Sequence, residues 1–209
     1  MIIDNDVQLD IMMIDIDILL AWGATYKKIA ANETIFREDT EGYFYCQLVT
    51  GSVRWININD DGREFIQSII EPGESFGELP LFDGDVYAAS AVANKDSVIL
   101  RLHKATFLQL LKEYPAIHFA FSKLLSQRLR FKFLLLKELS CCDPEHRIAT
   151  LFNYFKESNR NISLDNSLIK LTRQQVANMT GLRVETVIRS IRKMKEKGSL
   201  KITHGKVYC

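Results

Sequence analysis

The spacing of apolar and polar residues changes twice along the chain. Helical spacing predicts an amphipathic helix from about Leu9 to Trp22. From Tyr26 to Leu102, short β-rich runs alternate with turn residues, and Asp60-Asp61-Gly62 is typical of a hairpin turn. Strands at this spacing predict an antiparallel barrel or jelly roll.

Helical spacing returns after His103. Lys104–Glu113 predicts a short helix, and Pro115 suits the first turn of a second helix that runs to about Leu139. In the second helix one stripe recurs at alternating spacings of four and three, which is typical of a coiled-coil dimer seam. The predicted seam consists of Ile117, Phe121, Leu124, Arg128, Phe131 and Leu135. The alternative is a helix that is buried wholly within its own monomer.

A predicted hinge at Ser140–Asp143 separates this helix from the last part of the chain. Asp143 is expected to cap a helix that begins at Pro144 and ends near Lys156, and Ser158–Ser167 is expected to be a loop. The predicted fold class is therefore α+β. It has three parts, which are a β-domain at residues 1–114, a dimerisation helix and hinge at residues 115–142, and a helical domain at residues 143–209.

Leu171–Leu200 has the pattern of a helix-turn-helix motif. Thr172 is a predicted N-cap, and Gly181 stands where the turn between the two helices needs a left-handed conformation. The side chains predicted to be exposed on the second helix are polar and mostly basic: Arg183, Glu185, Thr186, Arg189 and Arg192. Lys201–Cys209, turning at His204-Gly205, predicts a wing. Two ordinary packed helices are the alternative, but the basic face and the wing together favour DNA binding.

The distribution of charge supports this interpretation. The formal net charge is only +1, but residues 1–142 carry 14 Lys and Arg against 20 Asp and Glu, whereas residues 143–209 carry 13 against 6. The first part is therefore acidic and the second strongly basic. This asymmetry indicates a polyanionic partner for the basic part, with a well-solvated helix face as the alternative explanation.

Composition and motifs exclude several classes of protein. The apolar share of 47% is ordinary for a globular protein, and no run of 18 apolar residues could span a membrane. No nucleophile–base constellation, phosphate loop or metal-ligand spacing indicates an enzyme or a metal site. The acidic N-terminus lacks the features of a signal peptide, and the four cysteines suit a reducing cytoplasm. Redox sensing by Cys141, Cys142 or Cys209 stays open beside buried structural thiols.

The chain resembles the Crp–Fnr (cyclic-AMP receptor/fumarate–nitrate regulator) family of bacterial transcription factors over nearly its whole length. FREDTEGYFYCQLVTGSVRW and PGESFGELPLF are similar to the family's effector barrel, the helix after Pro115 to its dimer helix, and LTRQQVANMTGLRVETVIR to its DNA-reading motif. The resemblance implies a cyclic-nucleotide-binding-like sensor domain at residues 1–114 and a winged helix-turn-helix at residues 143–209. It also implies a homodimer, double-stranded DNA as a partner, and contact with RNA polymerase.

The resemblance assigns DNA contacts to individual residues. Glu185 and Arg189 match the Glu and Arg of the family's recognition helix, and with Arg183 they are the predicted base contacts, because arginine donates to guanine and glutamate accepts from cytosine. Val184 stands where cyclic-AMP-type members carry another arginine, and Ile188 where many fumarate–nitrate-type members carry serine. The resemblance therefore leaves the outer base preference open, and a TGA-like core is the hypothesis. The positions that touch the DNA backbone in the family are matched by Thr172, Arg173, Gln174, Thr186, Arg192, His204 and Lys206.

The sensor pocket departs further from the family. Gly77-Glu78 keeps the turn whose carboxylate receives a ribose hydroxyl, but Ala88 stands where an arginine neutralises the cyclic phosphate, and Ala89 takes the neighbouring hydroxyl position. A phosphate diester bound there lacks its strongest charge-assisted hydrogen bonds. Lys132 and Phe133 replace the polar residues that read adenine. We therefore predict a degenerate effector pocket that does not bind cyclic AMP.

The sequence also lacks the residues that would bind the other effectors of the family. Iron–sulfur members need an N-terminal cysteine cluster, and none precedes Cys46, while nothing distinguishes His103 or His118 as a haem ligand. The sequence thus predicts no cofactor and leaves the effector unidentified. The predicted function is a homodimeric, sequence-specific DNA-binding transcription regulator that is not an enzyme. The alternative is a cyclic-nucleotide-binding signalling module that acts through protein contacts.

Overall fold

The computed structural model describes residues 13–139, 143–163 and 165–209. Two compact units are present, one formed by residues up to Ile56 together with Ile69–Lys123, the other by Asn57–Ser68 together with Leu124–Cys209. Part of the predicted first helix (residues 9–12) and most of the predicted hinge (residues 140–142) lie outside the described residues.

An antiparallel sheet forms most of the first half of the chain. Its strands run in the order β1-β6-β3-β4, with β2 paired to β6 and β5 paired to β3. This path is open, so the predicted closure into a barrel is wrong for the described residues, although the α+β fold class is confirmed. The elements are α1 (Ile16–Ala21), β1 (Thr25–Ile29), β2 (Thr34–Phe36), β3 (Phe44–Ile58), β4 (Glu64–Ile70), β5 (Ser75–Phe76), α2 (Leu79–Phe82) and β6 (Ser90–His103).

The long strands β3 and β6 carry the core of the first unit. Leu48 pairs with Ile99 across the two strands, and both side chains are fully buried with Phe76 and Val53. The predicted turn at Asp60-Asp61-Gly62 is confirmed, because the Gly62 amide donates to the Asn59 carbonyl at 2.9 Å. Strand pairing and alternating burial therefore agree with the β-rich pattern of the sequence.

Two helices follow the sheet where the sequence predicts them. Helix α3 (Lys104–Glu113) buries Phe107, Leu110 and Leu111, which recur at helical spacing. Helix α4 (Pro115–Leu139) has 25 residues and begins at the proline. Because proline lacks an amide hydrogen and has a helical φ, it fits the first turn of α4.

The residues of the predicted dimer seam on α4 are buried or half-buried within their own chain. Phe121 is fully buried, with its ring centroid 5.4–5.9 Å from those of Tyr45, Phe82 and Phe107. In the second unit Phe131 stacks on Tyr154 at 3.9 Å. The remaining members are also buried or half-buried within their own chain: Ile117, Leu124, Arg128 and Leu135. The seam predicted between subunits is therefore the face that packs against the chain itself.

A different stripe of α4 is exposed. Four large hydrophobic side chains show more than half of their surface, and two serines lie between the first and the second of them. In order, the stripe consists of Phe119, Ser122, Ser126, Leu129, Phe133 and Leu136. These positions are spaced alternately by three and four residues, so they lie along one face of the helix. We call this face the outer stripe.

The second unit ends in a winged helix-turn-helix. The predicted cap of its first helix is confirmed, since the Asp143 carboxylate accepts from the Glu145 amide at 3.0 Å. Ile162, in the predicted loop, forms an antiparallel bridge with Ile169, two residues beyond its end. The elements are α5 (Pro144–Ser158), α6 (Arg173–Thr180), α7 (Val184–Glu196), β7 (Lys201–Thr203) and β8 (Lys206–Tyr208).

Candidate nucleic-acid interface and sensor pocket

Local sequence signals place α6 and α7. Thr172 Oγ1 accepts from the Gln175 amide at 3.1 Å while the Gln175 side chain accepts from the Thr172 amide at 2.9 Å, which completes a capping box. Gly181 ends α6 with a left-handed φ of 68°. A residue with a Cβ is strained in this conformation, so the glycine allows the sharp turn into α7.

Helix α7 has one buried face and one charged face. Val187, Ile191 and Met194 are buried, and they recur at helical spacing along one side. Helices α5 and α6 both pack against α7. Apolar contacts therefore hold α7 to its own domain and leave its charged face uncovered.

The charged face of α7 carries the residues predicted to contact bases. Glu185, Arg189 and Arg192 are exposed on this side. Arg183 is the N-cap residue of α7 and is exposed, so its side chain is accessible at the start of the helix. The three predicted base-contact residues, Arg183, Glu185 and Arg189, thus lie at the exposed N-terminal half of α7.

The predicted backbone-contact residues lie around this face. Arg173 Nη2 donates to the Gly205 carbonyl at 3.1 Å, which ties the start of α6 to the turn of the wing, and burial lowers the pKa of Arg173. Gln174 Nε2 donates to Asn178 Oδ1 at 2.8 Å. Thr172 is engaged in the capping box. The others are Thr186, which is half-buried, and the exposed Arg192, His204 and Lys206.

Side chains of helix α5 contact the C-terminal end of α7 and the C-terminal end of α6. Glu145 accepts from Lys197 Nζ at 2.6 Å and lies 4.0 Å from Lys193 Nζ. The hydrogen bond to Glu145 raises the pKa of Lys197. Arg147 Nη1 donates to the Thr180 carbonyl at 3.0 Å, so α5 also fixes the end of α6. These contacts link the C-terminal ends of α6 and α7 to the same helix, α5.

The predicted sensor pocket is almost filled by aromatic side chains of its own chain. The ring of Phe36 stacks on Tyr87 at 3.8 Å with 9° between the planes, and lies 5.9 Å from Phe76. A cavity of about 30 Å³ remains, lined by Phe36, Trp55, Gly77, Leu79, Pro80, Tyr87, Ala88 and Ala89. This volume is about that of one water molecule, whereas small-molecule sites measure roughly 300–1,000 Å³.

Gly77 is what lets Phe36 approach so closely. Its φ is +73°, and a Cβ built on it would lie 2.7 Å from Cε1 of the Phe36 ring. The predicted pocket residues Gly77, Ala88 and Ala89 all line the cavity, and Glu78 is fully buried beside it in the chain. The small side chains therefore line the same cavity as Phe36.

The other two predicted pocket residues belong to the second unit. Lys132 Nζ donates to the Gln67 carbonyl at 3.0 Å and also to Gln67 Oε1. Burial, with a smaller contribution from Arg128, lowers the pKa of Lys132 to about 8. Phe133 is 63% exposed on the outer stripe. Lys132 therefore joins α4 to β4, and Phe133 points to solvent.

Two free cysteines lie in the described part of the chain: Cys46 is buried and Cys209 is half-buried. Burial raises the pKa of Cys46 to about 12 and also raises the pKa of Cys209. Because the thiolate is the reactive form, burial disfavours reaction at Cys46, whereas Cys209 is only half-buried. Cys141 and Cys142 lie outside the described residues. Within residues 13–139, 143–163 and 165–209, no group of three or more His, Cys, Asp or Glu could hold a metal ion.

Sequence reasoning missed two features of these sites. Phe36 and Tyr87 were not recognised as pocket residues, because their stacking joins positions about fifty residues apart. The outer stripe was missed because serines interrupt it, although Phe119, Leu129 and Phe133 already show its spacing. The spacing signal was present in the sequence, but exposure was needed to choose between the two stripes.

Both parts of the chain match models of known protein families. Residues 26–114 match the family model of the cyclic nucleotide-binding domain, and residues 146–208 match that of the Crp-like helix-turn-helix domain. None of the helices in the described parts of the chain is both long and apolar enough to cross a membrane.

Relatives of known function match over most of their length. The chain is 34% identical to the cAMP-activated global transcriptional regulator CRP of Pasteurella multocida, over 81% of this chain and 80% of the relative. It is 32% identical to the CRP of Haemophilus influenzae, over 91% of this chain and 87% of the relative. The solved structure of the c-di-GMP responsive regulator CLP of Xanthomonas campestris has the same fold, with a TM-score of 0.74 and 24% identity over 92% of this chain and 96% of that one. The chain therefore belongs to the Crp–Fnr family of DNA-binding transcription regulators, which are not enzymes.

Proposed function

We propose that this regulator binds a pseudopalindromic DNA site as a homodimer and does so without cyclic AMP. The observation that carries the proposal is the exposed charged face of α7, with Glu185 and Arg189 one turn apart. Two copies of a helix-turn-helix motif can place their recognition helices in successive major grooves, about 34 Å apart. Because the regulator acts on DNA, we expect it in the cytoplasm.

Base reading is assigned to Glu185, Arg189 and Arg183. An arginine can donate two hydrogen bonds to guanine O6 and N7, and a glutamate can accept from cytosine N4. The backbone contacts are assigned to Thr172, Arg173, Gln174, Thr186, Arg192, His204 and Lys206. Of these, the basic side chains neutralise phosphates, so affinity is expected to fall steeply as salt rises.

A second copy of this chain is proposed to cover the outer stripe. Phe119, Leu129, Phe133 and Leu136 are 74%, 54%, 63% and 67% exposed, which leaves a line of large apolar groups in water. Helix α4 is about 37 Å long at 1.5 Å per residue, enough for several turns of helix pairing. The Ser122 hydroxyl donates back to the His118 carbonyl at 3.4 Å, so this serine does not need solvent.

The aromatic filling of the pocket supports independence from cyclic AMP. A nucleotide would have to displace Phe36 from its stack on Tyr87, and at Ala88 it would meet a methyl group instead of a cation. Lys132 supports the same conclusion in the second unit, because its ammonium donates to the Gln67 carbonyl and is therefore engaged within the chain. We propose that these contacts hold the binding-competent form.

RNA polymerase is the further partner we propose. The candidate contact is the loop Ser158–Ser167, assigned by its position in the family. Ile162, within this loop, forms an antiparallel bridge with Ile169, which follows it. Replacing Asn166 and Ser167 by alanine is expected to change transcription from a target promoter while leaving DNA affinity unchanged.

A DNA-binding experiment tests the main proposal. Sites are selected from random oligonucleotides with the full chain, and affinity is then measured by gel shift for the wild type and Arg189→Ala. The variant is expected to lose about 1–3 kcal/mol of specific binding for each half-site and to keep non-specific binding. Arg37→Ala is the matched control, since Arg37 is an exposed arginine of the first unit. Full specific binding by Arg189→Ala would contradict the assignment.

Calorimetry tests the pocket separately. Titration with cyclic AMP or cyclic GMP is expected to give no heat from the same protein that binds its selected DNA site. Micromolar binding of either nucleotide would overturn the proposed independence from cyclic AMP, and binding without any specific DNA recognition would favour the alternative signalling module.

A further inference from the structure

Ile188 stands out on the charged face of α7. Among the described residues of 143–209, it is the one exposed large hydrophobic side chain, with 37% of its surface accessible. A single exposed isoleucine is ordinary on a protein surface. Its place among the residues assigned to base reading is what calls for an explanation.

The helical repeat places Ile188 beside the assigned base contacts. At about 100° per residue, Ile188 lies roughly 60° from Glu185 and 40° from Arg192 around the helix axis. Residues three and four apart on a helix have Cβ atoms about 5–6 Å from each other. A recognition helix whose Glu185 reaches a base edge therefore brings Ile188 to the same base pair or the next one.

The chemistry of Ile188 suits one feature of the major groove. Isoleucine can neither donate nor accept a hydrogen bond, and the apolar group that DNA offers there is the C5-methyl of thymine. In a helix a β-branched side chain is held in one preferred χ1 rotamer, so the contact costs little conformational entropy. Val184, the neighbouring apolar position, is half-buried and therefore offers less surface.

We propose that Ile188 reads a thymine methyl in each half-site, next to the bases read by Glu185 and Arg189. The proposal rests on the proposed DNA-binding function and adds a specific base preference to it. It predicts that the side chain contributes to sequence choice and not to general affinity for DNA.

The test removes the methyl group from the DNA. In the selected site each thymine is replaced in turn by deoxyuridine, which differs only in the missing C5-methyl. Losing burial of one methyl-sized group is expected to weaken binding about four-fold for each half-site. The full chain is measured as wild type, as Ile188→Ala, and as the conservative Ile188→Val.

The variants separate a direct contact from an effect on DNA shape. Wild type and Ile188→Val are expected to lose about four-fold affinity at one thymine position, whereas Ile188→Ala binds thymine and deoxyuridine there equally well. Ile188→Ala is expected to fold normally, because the site is exposed and alanine favours a helix. Equal losses for wild type and Ile188→Ala, or no loss at any thymine, would overturn the proposal. Failure of the wild type to select any DNA site would instead overturn the proposed function.

Discussion

The two stripes of α4 make opposite predictions for two phenylalanines. Phe121 is fully buried among Tyr45, Phe82 and Phe107, whereas Phe133 is 63% exposed. Truncating a buried phenylalanine to alanine costs about 3–5 kcal/mol. At about 2–4 °C for each kcal/mol in a chain of this size, Phe121→Ala is expected to lower Tm by about 6–20 °C.

Phe133→Ala is expected to act on association instead. Its side chain makes little contact with its own chain, so intrinsic stability should change by less than about 0.5 kcal/mol. Loss of the aromatic group from the outer stripe should shift the protein towards monomer. It should also reduce the dependence of stability on protein concentration, because dimer formation stabilises the folded state by mass action.

Sedimentation velocity and urea unfolding at several protein concentrations distinguish the two variants. Phe121→Ala should be less stable at every concentration and should remain dimeric wherever it is folded. Phe133→Ala should sediment as a monomer while its monomer stability is preserved. The reverse result, a stable monomer from Phe121→Ala and an unchanged dimer from Phe133→Ala, would refute the assignment of the two faces.

Three further predictions concern the pocket, the ammonium on α4 and the buried thiol. Gly77→Ala should lower the free energy of unfolding, measured in urea, by more than Gly84→Ala does. Both glycines have a positive φ, which costs alanine about 1–2 kcal/mol, but only a Cβ at position 77 would collide with Phe36. The pKa of Lys132 is lowered to about 8 from an ordinary value near 10.5. Between pH 8 and pH 10.5, Lys132 is therefore protonated in the unfolded chain and deprotonated in the folded chain. The free energy of unfolding of the wild type, relative to that of Lys132→Met, should therefore rise by up to about 3 kcal/mol from pH 8 to pH 10.5. If this difference does not change with pH, the lowered pKa of Lys132 is contradicted. Cys46 should resist alkylation, mapped by mass spectrometry, until the protein is unfolded, and rapid labelling in the native state would argue against its burial.

Much of the architecture could be predicted because its signals are local. Pro115 begins α4, Asp143 caps α5, and Thr172 caps α6, each at the position that the sequence predicts. Caps and prolines act through hydrogen bonds and backbone angles within a few residues, so they need no knowledge of the fold. The turn glycine Gly181 and the wing at His204-Gly205 belong to the same class.

The identity of the recognition surface was also predictable to a large extent. Glu185 and Arg189 could be placed on one face of α7 from spacing alone, and the structure leaves both exposed. The hydrogen bond from Arg173 to the Gly205 carbonyl could not be predicted, because it joins residues 32 positions apart. Contacts of that kind depend on how the wing packs.

The sequence by itself determined the family, the order of the elements and the charged face of α7, since these follow from motifs and short-range periodicity. Only the tertiary structure decided which side of α4 is exposed and what fills the pocket. Both stripes of α4 have heptad-like spacing, and burial of Phe121 depends on Tyr45 and Phe107, which come from distant parts of the chain. The same holds for Phe36 and Tyr87, because whether two aromatic rings stack is set by the packing of the sheet and not by their neighbours in sequence.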